Sequence, residues 1–404
     1  MVPRTTRRFY YRLSMKYIHP DNKDKPFIDW RSFDKREEGF FMWLDWRLKW
    51  SDLDHYMPAN TYRDATGVKS PTGAPMTKEQ SLWYCLIYGC TYQTEMAWVI
   101  YWNFPNFWEI DIDEMQRWNV ENLDRQRYAR DTKYNKGRIA EQVKSMREVI
   151  KPYGTIQNWV ESHLDTDENK SFENMFEAAF KIHKYGRMTT WLFTQALHET
   201  GGMPIKPNTM LATHESNWSV RSGLCYLYGL DDIIEAKTKQ KLSADDMNKV
   251  RDAELDVCAK AAERVSFPLF SNFLLESHLC QYKKLMLGGD YGGHSTGDHY
   301  SRASWLAERW KGEVNFDAFF EDAMKQYNPV VQRKVESKAL RDLCKKTGQL
   351  INMHDDYDFL PNMYKETEMN PDWFYTKDNE KRAIEYIDNY KKMLFESKTH
   401  LLFS

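Results

Sequence analysis

A chain of 404 residues can bury a substantial core and hold one large domain or two ordinary ones. Its net charge of −2 does not by itself announce a polyanionic ligand, and no run approaches the roughly 18 apolar residues of a membrane span. Six scattered cysteines without Cys-x-x-Cys or Cys/His ligand spacing argue against an iron–sulfur cluster or a structural zinc, and free thiols suit a reducing cytosol.

The basic start Met1–Arg8 has no apolar run behind it, so it does not read as a secretory signal. A break at Pro20–Pro26 precedes the Trp-rich stretch Phe40–Trp50. There Phe41, Leu44 and Leu48, with Trp43, Trp46 and Trp50, fall at helical spacing, the ordinary signature of packing. Residues 69–75 (KSPTGAP) form the clearest loop. Thr77 then predicts a helix N-cap, with Gln80 completing a capping box.

From there the pattern is persistently helical. Leu82, Cys85, Leu86 and Gly89 share a face, and Met96–Ile100 opens a second helix. Asn135–Ile150 reads as amphipathic through Ile139, Val143, Met146 and Ile150. Phe172–Ile182 and Thr190–Leu197 flank a turn at Gly186, and Gly201–Pro207 is a tight, rigid loop. Further helices are expected over Asn217–Leu230, Ala244–Val265, Phe267–Met286 and Ser301–Trp310. More charged candidates follow at 315–326, 332–346 and 379–395. No strand-rich region, repeat or low-complexity tract is visible, so the fold class is mainly α. We divide the chain into an N-terminal extension, 1–76, a core, 77–310, and a charged C-terminal extension, 311–404.

Charge is local. Between Arg117 and Lys151 ten Lys/Arg face five Asp/Glu, an excess that a phosphate backbone would favour and that a solvated helix face would equally explain. The turn Tyr185-Gly186-Arg187 lies behind this segment. It resembles the glycine turn of helix-hairpin-helix modules, in which the N–H groups of a helix N-terminus approach a DNA phosphate; a simple helix–helix turn would equally explain it. Lys184, Gly186 and Arg187, with Lys136 and Arg138 from the basic segment, are the candidate DNA contacts.

On Phe267–Met286, a rotation of 100° per residue puts Leu269, Phe273, Glu276, Cys280 and Lys283 on one stripe. Glu276 and Lys283 are ~10 Å apart along the axis, too far to pair directly. Each therefore needs another partner, either another helix in a structural ion pair or a ligand. A second polar cluster, His214-Glu215-Ser216-Asn217, precedes Arg221, which is suited to a bidentate grip on a carboxylate. Ser216 or Asn217 would cap the helix. His198 reads as a charge-dipole group at a helix end. The glycine loop Tyr291–Asp298 would line a phosphate site or simply connect.

The order of a helix ending Tyr92-Gln93-Thr94, a basic segment and the Gly186 turn resembles the helix-hairpin-helix DNA glycosylases, which flip a base from the duplex. Lys184 departs from the first glycine of that hairpin. Met188 stands where the family's Schiff-base lysine would be, and Asn208 falls near its catalytic aspartate. An amide carries no charge and a thioether is no such nucleophile, so glycosylase or lyase chemistry is disfavoured. Gln93 matches the residue that probes the vacated space.

The pieces at 83–98 (WYCLIYGCTYQTEMAW), 198–208 (HETGGMPIKPN), 275–284 (LESHLCQYKK) and 291–298 (YGGHSTGD) resemble a narrower group. It is the phage α-glutamyl/putrescinyl thymine pyrophosphorylases, or amino acid:DNA transferases. That resemblance implies an enzyme of thymine hypermodification in the cytoplasm of an infected bacterium. An amine, from an amino acid such as glycine or glutamate or from a polyamine, displaces pyrophosphate from 5-pyrophosphoryloxymethyluracil in duplex DNA. The substrate is supplied by a hydroxymethyluracil DNA kinase, itself a candidate partner. The chain carries no GxxxxGK[ST] phosphate loop of its own.

Within that chemistry Lys283, helped by Lys284, is assigned to pyrophosphate, Glu276 to anchoring or deprotonating the amine, and Asp298 to orienting a lysine. Asn208 occupies the altered catalytic slot. Gln93, His214, Arg221 and Cys280 line the substrate. No cofactor or metal motif is needed, though a Mg²⁺ ion on the pyrophosphate is compatible. The alternatives are an atypical base-excision glycosylase and a non-catalytic DNA-binding module.

Overall fold

The computed structural model describes residues 36–38, 40, 41, 44, 71, 74, 76–129, 132–230, 232–234, 242–265, 270–286 and 305–316. The described residues are helical with no strand. Helix α1 (Lys78–Thr91) starts on the expected capping box. The Gln80 amide N–H donates to Thr77 Oγ1 and the Thr77 N–H donates to Gln80 Oε1 at 2.9 Å. From Ser81 to Thr91 every residue of α1 is buried, the mark of a central helix covered all round. It ends at Tyr92, which adopts the left-handed conformation at φ 49°.

Helix α2 (Thr94–Asn103) and α7 (Arg187–Glu199) pack on α1. Gly89 makes the α1–α7 approach close, since a Cβ there would lie 3.0 Å from both Phe193 Cβ and the Thr189 carbonyl oxygen. Helices α3 (Ile112–Glu121), α4 (Ile139–Ile150), α5 (Ile156–Glu161) and α6 (Glu168–Phe180) complete this half. Asp111, Thr155 and Asp167 cap α3, α5 and α6 by accepting backbone N–H bonds. The sequence reading missed α3 and α5. It also began α4 too early: 133–135 is a separate 3-10 turn, and α4 starts at Ile139 after Gly137 at φ 86°.

The second half consists of α8 (Trp218–Tyr228), α9 (Ala244–Arg264) and α10 (Asn272–Met286). Phe273 joins the halves, its ring edge-on to Trp191 of α7 at 4.9 Å and to Phe172 of α6 at 5.8 Å. Aromatic side chains thus serve mainly as core, as with the fully buried Trp83, Trp98, Trp159 and Trp191.

Both flanks are tied in. Arg36 donates to the Tyr226 carbonyl at 2.8 Å, and Phe40 packs on Tyr282 at 5.0 Å. Residues 305–316 lie against α2 and α3 through stacked Trp118 and Trp310 and a Trp98 Nε1 bond to the Asn315 carbonyl. Among the described residues Cys85, Cys90, Cys258 and Cys280 form no disulfide, and burial pushes the Cys85 and Cys90 thiols up to about 12. Among the described residues no helix is long and apolar enough to cross a membrane. The candidate helices at 332–346 and 379–395, nearly all of 315–326, and Leu48, Trp43, Trp46 and Trp50 lie outside the described residues.

Candidate substrate site between α7 and the second half

Gly223 brings α8 and α10 together. A Cβ there would fall 2.2 Å from the Leu279 carbonyl oxygen, so only hydrogen fits. This contact sets the first turn of α8 against the Glu276–Cys280–Lys283 stripe of α10. Lys283 Nζ donates to Ser219 Oγ and lies 4.0 Å from the centroid of the Trp218 ring. Cys280 Sγ is 3.1 Å from the same Ser219 hydroxyl. Glu276 meets α7 instead: Arg187 NH1 donates to its Oε1 at 3.0 Å, with both side chains under 9% exposed. The spacing argument therefore holds, since each buried charge of the stripe has its own partner.

The 210–217 loop closes the group. Glu254 of α9 is buried, and its Oε1 accepts the Met210 and Ala212 N–H groups at 2.6 and 3.0 Å. Asn217 Nδ2 donates to the Met210 and Leu211 carbonyls, and Leu211 takes a left-handed φ of 56°. Burial raises the Glu254 pKa, and its two N–H bonds oppose that shift.

This brace fixes His214, whose Nδ1 accepts the Ser216 backbone N–H at 3.2 Å and lies 2.9 Å from the Ser216 hydroxyl. Burial lowers the His214 pKa, helped by the charge of Arg187 and, less, of Arg221, while Glu215 opposes it. Arg221 is 2% exposed. Among the described residues its guanidinium makes one hydrogen bond, a long 3.5 Å contact from NH2 to the Glu215 carbonyl, and its Nε has no partner. A buried guanidinium without a carboxylate is costly unless an anion joins it.

A second face surrounds the start of α7. Gly186 is its N-cap, exposed, with extended φ/ψ of −80°/179°, open space where a Cβ would be, and no side-chain cap bond. Lys184 is exposed at φ 66°, so the left-handed step before α7 falls on a lysine. Beside it the 133–135 turn is fastened by Asn135 Nδ2 to the Cys90 carbonyl at 2.9 Å. Tyr134, 47% exposed, approaches Thr189 Oγ1 at 3.2 Å. Arg138 is exposed and Lys136 half-buried on the same segment.

The sequence profile of the amino acid:DNA transferases matches residues 68–291. The chain belongs to the amino acid:DNA transferase family. It is also similar to a serinyltransferase of Salmonella phage ViI, 25% identical over 188 residues, which is 44% of this chain and 44% of that protein. The chain thus matches less than half of that relative's length. No solved structure matches.

In this chain the α7–α8–α10 group brings together Arg187, His214, Arg221, Glu276, Cys280 and Lys283, all inside the matched span. The Arg187 guanidinium is drawn inward to Glu276 and is buried. Gln93 is 3% exposed, at the N-cap of α2, and its Oε1 has no partner among the described residues. Asn208 is exposed on a loop held to Asn169 through its backbone N–H at 2.7 Å, and among the described residues no hydrogen bond joins it to the group. His198 sits in the last turn of α7, within 3.4 Å of the Met203 carbonyl.

The Lys284 side chain, Leu269, Asp298 and the Tyr291–Asp298 loop lie outside the described residues. Ser219, Trp218 and Tyr134 escaped the sequence reading. The first two lie within three residues of Arg221 on one helix, but only packing shows which face meets α10. A cavity of about 410 Å³ lined by Trp102, Lys311 and Phe316 shares no residue with the group.

Proposed function

We propose that the protein transfers an amino acid onto 5-pyrophosphoryloxymethyluracil in phage DNA, in the cytoplasm of the infected host. The amine nitrogen bonds to the C5 methylene carbon, the methylene carbon–oxygen bond breaks, and pyrophosphate leaves with the electron pair while the amine gives up a proton. Such a departure needs positioning and charge stabilisation more than covalent help. Lys283, held by Ser219 against Trp218, would take the leaving anion. The Arg187–Glu276 pair would orient the ammonium end of the donor, with Glu276 as its anchor. The exposed N-terminus of α7, with Lys184, Lys136, Arg138 and Tyr134, would hold the DNA backbone beside a flipped nucleotide, in the manner of a helix-hairpin-helix protein.

The observation that carries this reading is Arg221, a buried cation with no carboxylate within hydrogen-bonding reach among the described residues. Such a guanidinium favours a donor bearing a carboxylate over a polyamine dication. The chemistry calls for no organic cofactor. A divalent ion would arrive on the pyrophosphate oxygens, because no cluster of three His, Cys, Asp or Glu among the described residues could hold one by itself. A DNA kinase acting earlier on hydroxymethyluracil would supply the substrate.

The deciding assay offers pyrophosphoryloxymethyluracil duplex with a panel of amino acids and putrescine, followed by mass spectrometry of the released nucleosides. An amino-acid adduct is expected. Abasic sites in hydroxymethyluracil duplex would instead favour a glycosylase. Full function of E276Q and K283A in infection would favour a non-catalytic DNA-binding module.

A further inference from the structure

The 210–217 loop holds a second polar group with a fixed chemical state. A backbone N–H can only donate, so the Ser216 N–H bonded to His214 Nδ1 requires that nitrogen to be unprotonated. In the neutral ring the proton then sits on Nε2, which makes no hydrogen bond with any described residue. A turn of the histidine side chain back to the N–H two residues on is a local device and needs no distant partner. The loop that carries it is rigidly braced by Glu254 and Asn217.

The charged groups facing His214 among the described residues are Arg187 from α7, which is paired with Glu276, Arg221 from α8, and the adjoining Glu215. Both arginines favour the uncharged ring. Glu215 lends its carbonyl to Arg221, so the guanidinium reaches the loop that carries His214. Arg221 Nε and His214 Nε2, on adjoining elements, are thus two N–H donors without acceptors among the described residues. A carboxylate, with two oxygens, is the ligand that satisfies both.

We propose that His214 is a substrate-binding residue, locked as the neutral Nε2–H tautomer by Ser216, which donates with Arg221 to the carboxylate of the incoming amino acid. This rests on the transfer reaction proposed above and assigns the donor's recognition to a specific pair. Choosing an uncharged donor beside Arg221 fits the physics: a second full cation there would raise the cost of the empty site, whereas a neutral N–H adds a directed bond without it.

Two measurements on the full-length protein test the assignment. In protein labelled with ¹⁵N-histidine, the His214 signals, identified by their loss in H214Q, should show a protonated Nε2 and a bare Nδ1 near neutral pH. Adding L-serine should shift Nε2–H, and adding putrescine should leave it in place. In steady-state transfer, H214A should raise KM for the amino acid roughly ten- to hundred-fold, the range for a hydrogen bond to a charged group, with KM for DNA unchanged. H214Q, which keeps an N–H donor, should recover part of that loss. S216A, which keeps the backbone N–H, should leave the tautomer as it is.

A proton found on Nδ1, an Nε2 signal indifferent to L-serine, or a KM effect confined to DNA would overturn the assignment. Wild-type protein that transfers no amino acid at all would sink the functional reading itself. Normal wild-type transfer with an unaffected H214A variant would remove only His214 from it.

Discussion

At the scale of single residues, the ion pair Arg187–Glu276 separates stability from function. Removing one partner leaves the other charge buried and alone, so R187A should destabilise the fold by about 3–5 kcal/mol in urea unfolding. The double variant R187M/E276L should recover most of that loss, because a packed apolar pair replaces the buried ions. Transfer should stay abolished in the double variant if the pair orients the donor. Recovery of both properties would make the pair structural only. Gly186 offers the opposite case. Its φ is in the ordinary extended region and a Cβ meets nothing within 4 Å, so G186A should leave stability within about 0.5 kcal/mol. If a phosphate approaches that N-terminus, the same methyl should weaken DNA binding in a fluorescence anisotropy titration.

Among elements, the placement of the site depends on two contacts of different kinds. One is steric. At Gly223 a Cβ would strike backbone rather than a movable side chain, so G223A should cost about 3 kcal/mol and separate Ser219 from Lys283. Thermal unfolding would read the first effect and transfer kinetics the second. The other contact is polar: Glu254 holds the His214 loop through two buried N–H groups. Its folded pKa lies above the ordinary 4.5 because burial disfavours the carboxylate. The native state therefore keeps the proton longer than the unfolded chain, and this group's contribution to stability falls as pH rises from 4.5 through the raised value. E254Q keeps an acceptor oxygen and should lose that pH slope, as measured by urea midpoints across pH 4–8. E254A leaves two N–H groups unsatisfied and should cost roughly 2–3 kcal/mol at any pH.

For the whole molecule, the proposed DNA-facing surface and the proposed substrate group lie at the two sides of one helix start. α7 presents Gly186 outward and Arg187 inward within a single residue step, so the two proposed roles share an element. Tyr134 stands beside that point and is largely exposed. Y134A should spare stability while weakening binding of modified duplex about 5- to 100-fold, the range for losing one base–aromatic stacking contact. Unchanged affinity would place the duplex elsewhere.

Much of this was legible in the chain itself. The helical class, the capping box at Thr77, the stripe Glu276–Cys280–Lys283 and the polar run from His214 to Arg221 are local matters of periodicity and residue chemistry, and the family follows from short motifs in residues 68–291. What local pattern could not supply was partnership. Helix α3 was overlooked because its apolar residues are sparse, with only Met115 and Asn119 buried. That Arg187 turns inward, that Gln93 is enclosed, and that Ser219 lies between Lys283 and Cys280 depend on helices far apart in sequence meeting at Gly223 and Phe273. Periodicity tells which side of a helix is apolar, whereas the group a charge meets there is decided by the close packing of another helix against it.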